Sequence, residues 1–214
     1  MYKLIVLYFL SLSLAMNAQV PVKDEPRHRP VLENEYIRVL DVWLQPGDTT
    51  MYHIHATPSL FVVLNTAATT SQIQGGRWTS DKYSDIKTWY RSFAGDTLIH
   101  RVANIDTVAF HVNDIEILSH FDTSVRRMPL EFPLLFENDR SFAYKLVTGS
   151  FPTRRISGRG PLIAAAVDGQ VLFHDVNEKK VSSIQEGRYV YVPPGKTFYF
   201  SSPGAVQMIL FEIK

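Results

Sequence analysis

Two histidines, His53 and His55, stand on alternate positions in the stretch "MYHIHATP", at the head of an apolar run. Residues two apart in a β-strand project from the same face, so both imidazoles would face one space if this stretch is a strand. Imidazole nitrogens held close together suit divalent ions such as Zn, Fe and Cu. Taken alone, however, the pair is more simply explained as two surface histidines on an edge strand.

A third histidine, His100, extends the pattern. It ends the stretch "AGDTLIH", in which a turn glycine precedes a short apolar run, and Asn104 follows it by four residues. The three histidines make up nearly half of the seven in the chain. If the two runs are neighbouring strands, the three imidazoles would converge on one point.

The elements that would position these residues are short and extended. Apolar and polar residues alternate in many brief runs, among them "YIRVLDVWL", "TVAFHVNDIEIL" and "VQMILFEI", and the turn formers "QPGD", "QGGR", "AGD", "PPG" and "SPG" separate such runs. No segment sustains a period near 3.6 residues. Strands of this length and spacing predict an all-β sandwich or barrel.

The chain also repeats itself weakly, with a period of about 100 residues. "VLENEYIRVL" aligns with "LFENDRSFAY", and "AGDTLIH" aligns with "PGKTFYF". Two copies of one barrel are therefore predicted, meeting within residues 119–133. In the second copy, the places of the three histidines are taken approximately by Ser157, Arg159 and Phe200. Joint loss is expected if the histidines are ligands of one ion, because the loss of one removes the reason for the others.

These residues resemble a known family. "GDTTMYHIH" resembles the first half of the cupin metal motif and "GDTLIHRVAN" the second half. The resemblance implies two double-stranded β-helix (jelly-roll) barrels in tandem, with the motif histidines facing a cavity. On this interpretation residues 19–118 form a cupin barrel with a metal site, residues 119–133 cross over, and residues 134–214 form a degenerate barrel without metal ligands.

The sequence departs from the commonest cupin pattern at the carboxylate ligand. That pattern has three or four residues between the second histidine and a glutamate, which would place the glutamate where this chain has Ser59 or Leu60. The expected ligand set is therefore His53, His55 and His100, which leaves open coordination positions for water or substrate. The predicted cofactor is a divalent ion, with Fe, Zn, Mn, Cu and Ni all left open.

Two further polar residues have alternative interpretations. Asn104 could support a ligand through a hydrogen bond, or it could simply stabilise the turn of "ANIDT". His111 alternates with Ala109 and Asn113 and could face the cavity, although a satisfied core or surface histidine is the simpler explanation.

The first residues predict export. Residues 1–18 combine Lys3, an apolar core and Ala18 ahead of the expected cleavage point, which is the pattern of a secretory signal peptide. Met16 is bulkier than signal peptidase prefers, so a retained membrane anchor is the competing interpretation. A protein soluble after cleavage, in the periplasm or outside the cell, is expected. The chain has no cysteine, which excludes disulfides and a lipoprotein anchor.

The composition limits the classes of binding partner that are expected. A net charge of +1 argues against nucleic acid and against anionic membrane surfaces after signal removal. The expected partner is a small molecule, and a homodimer is compatible with the sequence. Two functions remain open: a metal-dependent enzyme of the dioxygenase or isomerase type, acting on a small organic acid or sugar derivative, and a non-catalytic module that binds a metal or small ligand. No catalytic residue can be assigned from the sequence.

Overall fold

The computed structural model describes residues 19–80, 88–122, 124, 127–151 and 155–214. The predicted signal peptide, residues 1–18, lies outside them. Apart from one 3₁₀ turn at Val22–Asp24, the elements are strands: β1 (Val20–Pro21), β2 (His28–Glu33), β3 (Ile37–Leu44), β4 (His53–His55), β5 (Ser59–Asn65), β6 (Thr69–Ile73), β7 (Trp78–Ser80), β8 (Thr88–Arg91), β9 (Leu98–Asn104), β10 (Phe110–Ile117), β11 (Leu134–Glu137), β12 (Ser141–Val147), β13 (Leu162–Gly169), β14 (Val171–Asp175), β15 (Lys180–Ile184), β16 (Tyr189–Val192), β17 (Phe198–Ser201) and β18 (Val206–Ile213). The predicted all-β fold is confirmed.

The strands form four sheets, two from each half of the chain. In the N-terminal half, the first sheet has the order β1-β4-β9-β6-β7 and the second the order β2-β3-β10-β5-β8. In the C-terminal half, the third sheet has the order β11-β12-β18-β13-β16 and the fourth the order β15-β14-β17. Residues 119–133 lie between the halves, and the division into two domains at this segment stays a prediction.

Alternation along the central strands explains how the halves pack. All eight residues of β10 are buried. Phe110 and Val112 pack inside the N-terminal half, whereas Ile115 and Ile117 join an apolar cluster that contains residues of both halves. In β18, Met208 likewise packs inside the C-terminal half. The second and third sheets therefore pack on each other through one side of each, while their other sides form separate interiors.

The cross-strand pairs of the two halves are compatible with the sequence repeat. Ile73 of β6 pairs with His100 of β9, and Phe173 of β14 pairs with Phe200 of β17. The weak sequence repeat therefore places His100 and Phe200 at equivalent positions of two similar sheets.

The alignment around the other two histidines needs a correction. His55 pairs with Leu98, and the equivalent bridge in the C-terminal half joins Ile156 to Phe198. Ile156, rather than Arg159, therefore stands in the place of His55. The displacement arises because the repeat is faint between the turn and the strand at this point. Whether the C-terminal half lacks a metal site stays a prediction.

Among the described residues, no helix is long and apolar enough to cross a membrane.

Phe200 provides a test of the C-terminal core. Its side chain is fully buried, with ring centroids of Phe173 and Phe198 at 5.7 and 5.5 Å. Phe200→Ala should lower the free energy of unfolding by about 3–5 kcal/mol, since it removes a buried ring and leaves a cavity. Denaturant titration measures the change. Val181→Ala, at a position 56% exposed, is the control and should stay within about 0.5 kcal/mol; equal effects of the two variants would contradict a core role for Phe200.

Candidate metal centre

Two of the predicted histidines share the short strand β4. Strand alternation places His53 and His55 on one side with Ile54 on the other, and both imidazoles are buried. The chain reaches β4 through a turn in which Gly47 has φ +81°, a left-handed conformation that glycine adopts without a steric penalty. The turn of "QPGD" therefore lies a few residues ahead of β4.

The register of β4 with β9 brings in the third histidine. The strands are antiparallel and His53 lies opposite His100. Ring centroids of His53 and His100 are 4.6 Å apart, and those of His55 and His100 are 5.1 Å apart. His55 Nε2 lies 3.1 Å from His100 Nε2, a separation that two ligands can have when each is about 2.0–2.1 Å from one ion. The structure therefore brings all three predicted residues together.

A fourth histidine, His28, joins the group from the start of β2. Its ring centroid is 4.5 Å from that of His53. One ring nitrogen each of His28, His53 and His55 can be chosen so that all three lie within 4.8 Å of one another. Sequence reasoning missed His28, which lies 25 residues ahead of the first motif histidine in "EPRHRP" and belongs to no spacing pattern.

Buried acceptors fix the outer nitrogens of two of these rings. His28 Nδ1 lies 2.7 Å from the carboxylate of Glu25, and His53 Nδ1 lies 2.9 Å from the carbonyl oxygen of Met51. Because both partners accept hydrogen bonds, each Nδ1 carries the proton and each Nε2 presents a lone pair. The Glu25 carboxylate also accepts a hydrogen bond from the amide N–H of Met51, at 3.1 Å, so it links the two ligand positions.

Several polar atoms at this place are buried without a hydrogen-bond partner among the described residues. They include His53 Nε2, His55 Nδ1 and both carboxylate oxygens of Asp114, although Asp114 Oδ2 is 3.4 Å from His55 Nδ1. Leaving a buried polar atom unpaired costs about 1–3 kcal/mol. A cation between the imidazoles would satisfy His53 Nε2, and a carboxylate behind a histidine ligand is a common way to orient it. The donor set therefore fits a divalent ion that prefers imidazole nitrogen.

Burial keeps the imidazoles of His53 and His100 uncharged. Removal from water, together with the nearby charges of His55, His28 and Arg91, lowers the pKa of His100 to about 3. The pKa of His53 is lowered even further, again chiefly by burial. Burial alone would raise the pKa of Glu25, but hydrogen bonds from His28 and backbone amides outweigh it and leave that pKa lowered. At neutral pH these two imidazoles are therefore uncharged, and Glu25 is a carboxylate.

The histidines lie at the wall of a cavity of about 510 Å³ in the N-terminal half. Its other walls are largely apolar and include Phe61, Phe93, Trp89 and Leu44. Phe93 stacks on His55, with centroids 5.1 Å apart and planes 13° apart. Cavities of about 300–1,000 Å³ with few, convergent polar groups are typical of small-molecule sites.

The remaining sequence candidates have other roles. Asn104 donates hydrogen bonds to the carbonyl oxygens of Leu44 and Val108, which agrees with the turn interpretation. His111 lies 2.6 Å from Asp41 through Nε2 and stacks on Trp43, so it is a buried histidine with its own partners, separate from the cluster.

The position of the missing glutamate is occupied by a small buried residue. Ser59 is fully buried and its hydroxyl donates to the carbonyl oxygen of Thr57 at 3.0 Å. The carboxylates nearest the histidines are instead Glu25 and Asp114, which contact His28 and His55.

Comparison with known proteins supports the fold. No family model matches the chain, and no curated protein matches its sequence. Among solved structures, a cupin 2 conserved barrel domain protein from Leptotrichia buccalis aligns with TM-score 0.56 and 10% identity, over 87% of this chain and 88% of that chain. AerE from Microcystis aeruginosa aligns with TM-score 0.55 and 13% identity, over 89% and 98%. A variant of salicylate 1,2-dioxygenase from Pseudoaminobacter salicylatoxidans aligns with TM-score 0.57 and 9% identity, over 83% and 71%. The chain therefore has the cupin fold.

Proposed function

We propose that this protein binds one divalent transition-metal ion between His53, His55, His100 and His28. The observation that carries the proposal is the convergence of the buried imidazoles of His28, His53 and His55 with that of His100, where Nε2 of His53 has no partner among the described residues. The first three are the ligands expected from the sequence, and His28 is added by the structure. Its Nε2 is available because its Nδ1 is engaged by Glu25.

The surrounding residues would orient the ligands and keep bulk water away. Glu25 and the carbonyl oxygen of Met51 hold His28 and His53 in one tautomer. Phe93 covers one face of His55. A divalent ion held by neutral imidazoles supplies a Lewis-acid centre that attracts anionic groups and lowers the pKa of bound water.

We further propose that the cavity receives a small organic acid or sugar derivative, and that the protein is an enzyme of the dioxygenase or isomerase type. The volume of the cavity and its position beside the histidines support this proposal. A similar fold is found in a salicylate 1,2-dioxygenase, but the fold by itself hosts many chemistries.

Binding without turnover is the second candidate. Asp114 carries the one carboxylate among the described residues that line the cavity. This carboxylate lies against His55. A carboxylate that orients a ligand is poorly placed to take a proton from a substrate, which favours this alternative. Turnover of candidate organic acids by the metal-loaded protein separates the two.

Removing a ligand tests the metal centre. His53→Ala should weaken metal binding by more than about 100-fold, since removing an outer partner alone costs about 10- to 100-fold. The metal content of protein purified without a polyhistidine tag is measured by mass spectrometry after equilibration with Zn, Fe, Mn, Cu or Ni. The matched control is His120→Ala, at an exposed position, which should keep the full content. Full stoichiometric metal in His53→Ala would show that the site is assigned wrongly.

Replacing the carboxylate behind His28 tests the orientation of the ligands. Glu25 accepts hydrogen bonds from His28 and from the amides of Arg27 and Met51, and glutamine would present a donor to at least one of them. Glu25→Gln should therefore weaken metal binding by about 10- to 100-fold. Competition with a chelator measures the affinity. Glu137→Gln, at a surface ion pair with Lys214, should leave it unchanged, and equal affinities in both variants would exclude a role for Glu25.

We also propose export, on the evidence of residues 1–18 alone. Cleavage near Ala18 would leave every described strand intact, because β1 begins at Val20. Intact-mass measurement of the protein recovered from the periplasm or the medium should give a chain that begins near Gln19. Full-length protein in the membrane fraction would instead support a retained anchor.

A further inference from the structure

A positively charged arginine lies in one wall of the cavity. Arg91, at the end of β8, lines the cavity together with Trp89. The two residues are on the same side of β8 by strand alternation, whereas Tyr90 between them packs against the apolar cluster shared by the two halves. Strand geometry therefore directs Arg91 towards the cavity.

The guanidinium of Arg91 is connected to the histidine cluster through one aromatic ring. It lies 4.9 Å from the centroid of Phe93, and Phe93 stacks on His55. Phe93 holds this position in a left-handed backbone conformation, with φ +51°, that bulky residues rarely adopt. The charge of Arg91 is also near enough to contribute to the lowered pKa of His100.

Within the described part of the chain, the charge of Arg91 is only weakly neutralised. Its ion-pair partner is Asp96, at 3.6 Å, whose side chain is 87% exposed. Exposed pairs of this kind contribute little, because water screens them. A guanidinium, by contrast, binds a carboxylate strongly through two parallel hydrogen bonds when the geometry is bidentate.

The walls beside Arg91 suit a flat apolar group. Phe61 and Trp89 stack with centroids 4.9 Å apart and planes 12° apart, and both line the cavity with Phe93. Aromatic rings pack favourably on such surfaces at centroid distances of about 4.5–7 Å.

We infer that Arg91 anchors the carboxylate of a small aromatic acid, whose ring lies against Phe61, Trp89 and Phe93 beside the histidine cluster. The inference rests on the proposed function in that it names the ligand class for the same cavity. Arg91 is a substrate-binding residue in this arrangement and does not bind the metal.

The test uses benzoate, benzamide and acetate as probes of the full chain, in metal-free and zinc-loaded form. Isothermal titration calorimetry should show that benzoate binds at least about 10-fold more tightly than benzamide, which lacks the charge, and than acetate, which lacks the ring. Arg91→Gln should weaken benzoate binding by about 10- to 100-fold, since hydrogen bonds to charged groups are lost, with benzamide binding unchanged. Arg140→Gln removes a similar arginine, paired with Asp139 at 3.7 Å in the C-terminal half, and should change neither.

A second variant tests the same charge without altering Arg91. Asp96→Asn removes the competing exposed carboxylate and should tighten benzoate binding by about 2- to 5-fold. Because Asp96 lies exposed between β8 and β9, this variant is expected to fold even if Arg91→Gln does not.

The outcomes separate this inference from the metal proposal. Equal benzoate affinity in Arg91→Gln and Arg140→Gln, no effect of Asp96→Asn, or benzoate and benzamide binding alike would overturn the role of Arg91, whatever the metal content. Absence of metal from every variant would instead contradict the metal centre. A loss of benzoate affinity confined to Arg91→Gln in the metal-free protein would still support the carboxylate site.

Discussion

The convergence of four imidazoles, three of them buried, is the constraint around which the N-terminal half is organised. Neutral imidazole is the form that burial favours, and the lowered pKa of His53 and His100 reflects that cost. A neutral ring still has one donor and one acceptor nitrogen to satisfy. This demand is met on one side only: Met51 and Glu25 engage the outer nitrogens of His53 and His28, while the inner nitrogen of His53 has no partner among the residues that the structure describes.

The second sheet and the C-terminal half hold this arrangement in place. β10 carries Asp114 on the side that faces the histidines and Ile115 on the side that packs against the other half. Neighbouring residues of one strand are thus tied to the site and to the apolar contact between the halves. Ligand positions fixed by paired strands, rather than by loops, are the kind that hold a preorganised site.

Much of this fold could be predicted from the sequence, because alternating patterns and turn glycines are local signals. Those signals located β3, β10 and β18 and placed His53 and His55 on one face. His100 could be added because "AGDTLIH" has the same pattern of a turn followed by a strand as "PGKTFYF" in the second copy. The contact of His28 with His53 could not be predicted, since it depends on the tertiary placement of β2 and on the 3₁₀ turn ahead of it. Asp114 was missed for another reason: in a strand buried on both faces, the hydrophobic pattern does not say which side meets the cavity.

The C-terminal half shows which residues occupy the positions of the histidines in a similar sheet. In its fourth sheet Phe200 stands in the place of His100, and beside that sheet Ile156 stands in the place of His55. Both replacements are buried in a continuous apolar core. Their removal from water stabilises the fold, and neither side chain has a polar atom that needs a hydrogen bond. The same framework can thus be filled with apolar side chains. Buried imidazoles with unpaired nitrogens stabilise the N-terminal half less than apolar side chains would, so the need to fold does not account for the histidine cluster, and the cost is the one expected of the ion-binding role proposed above.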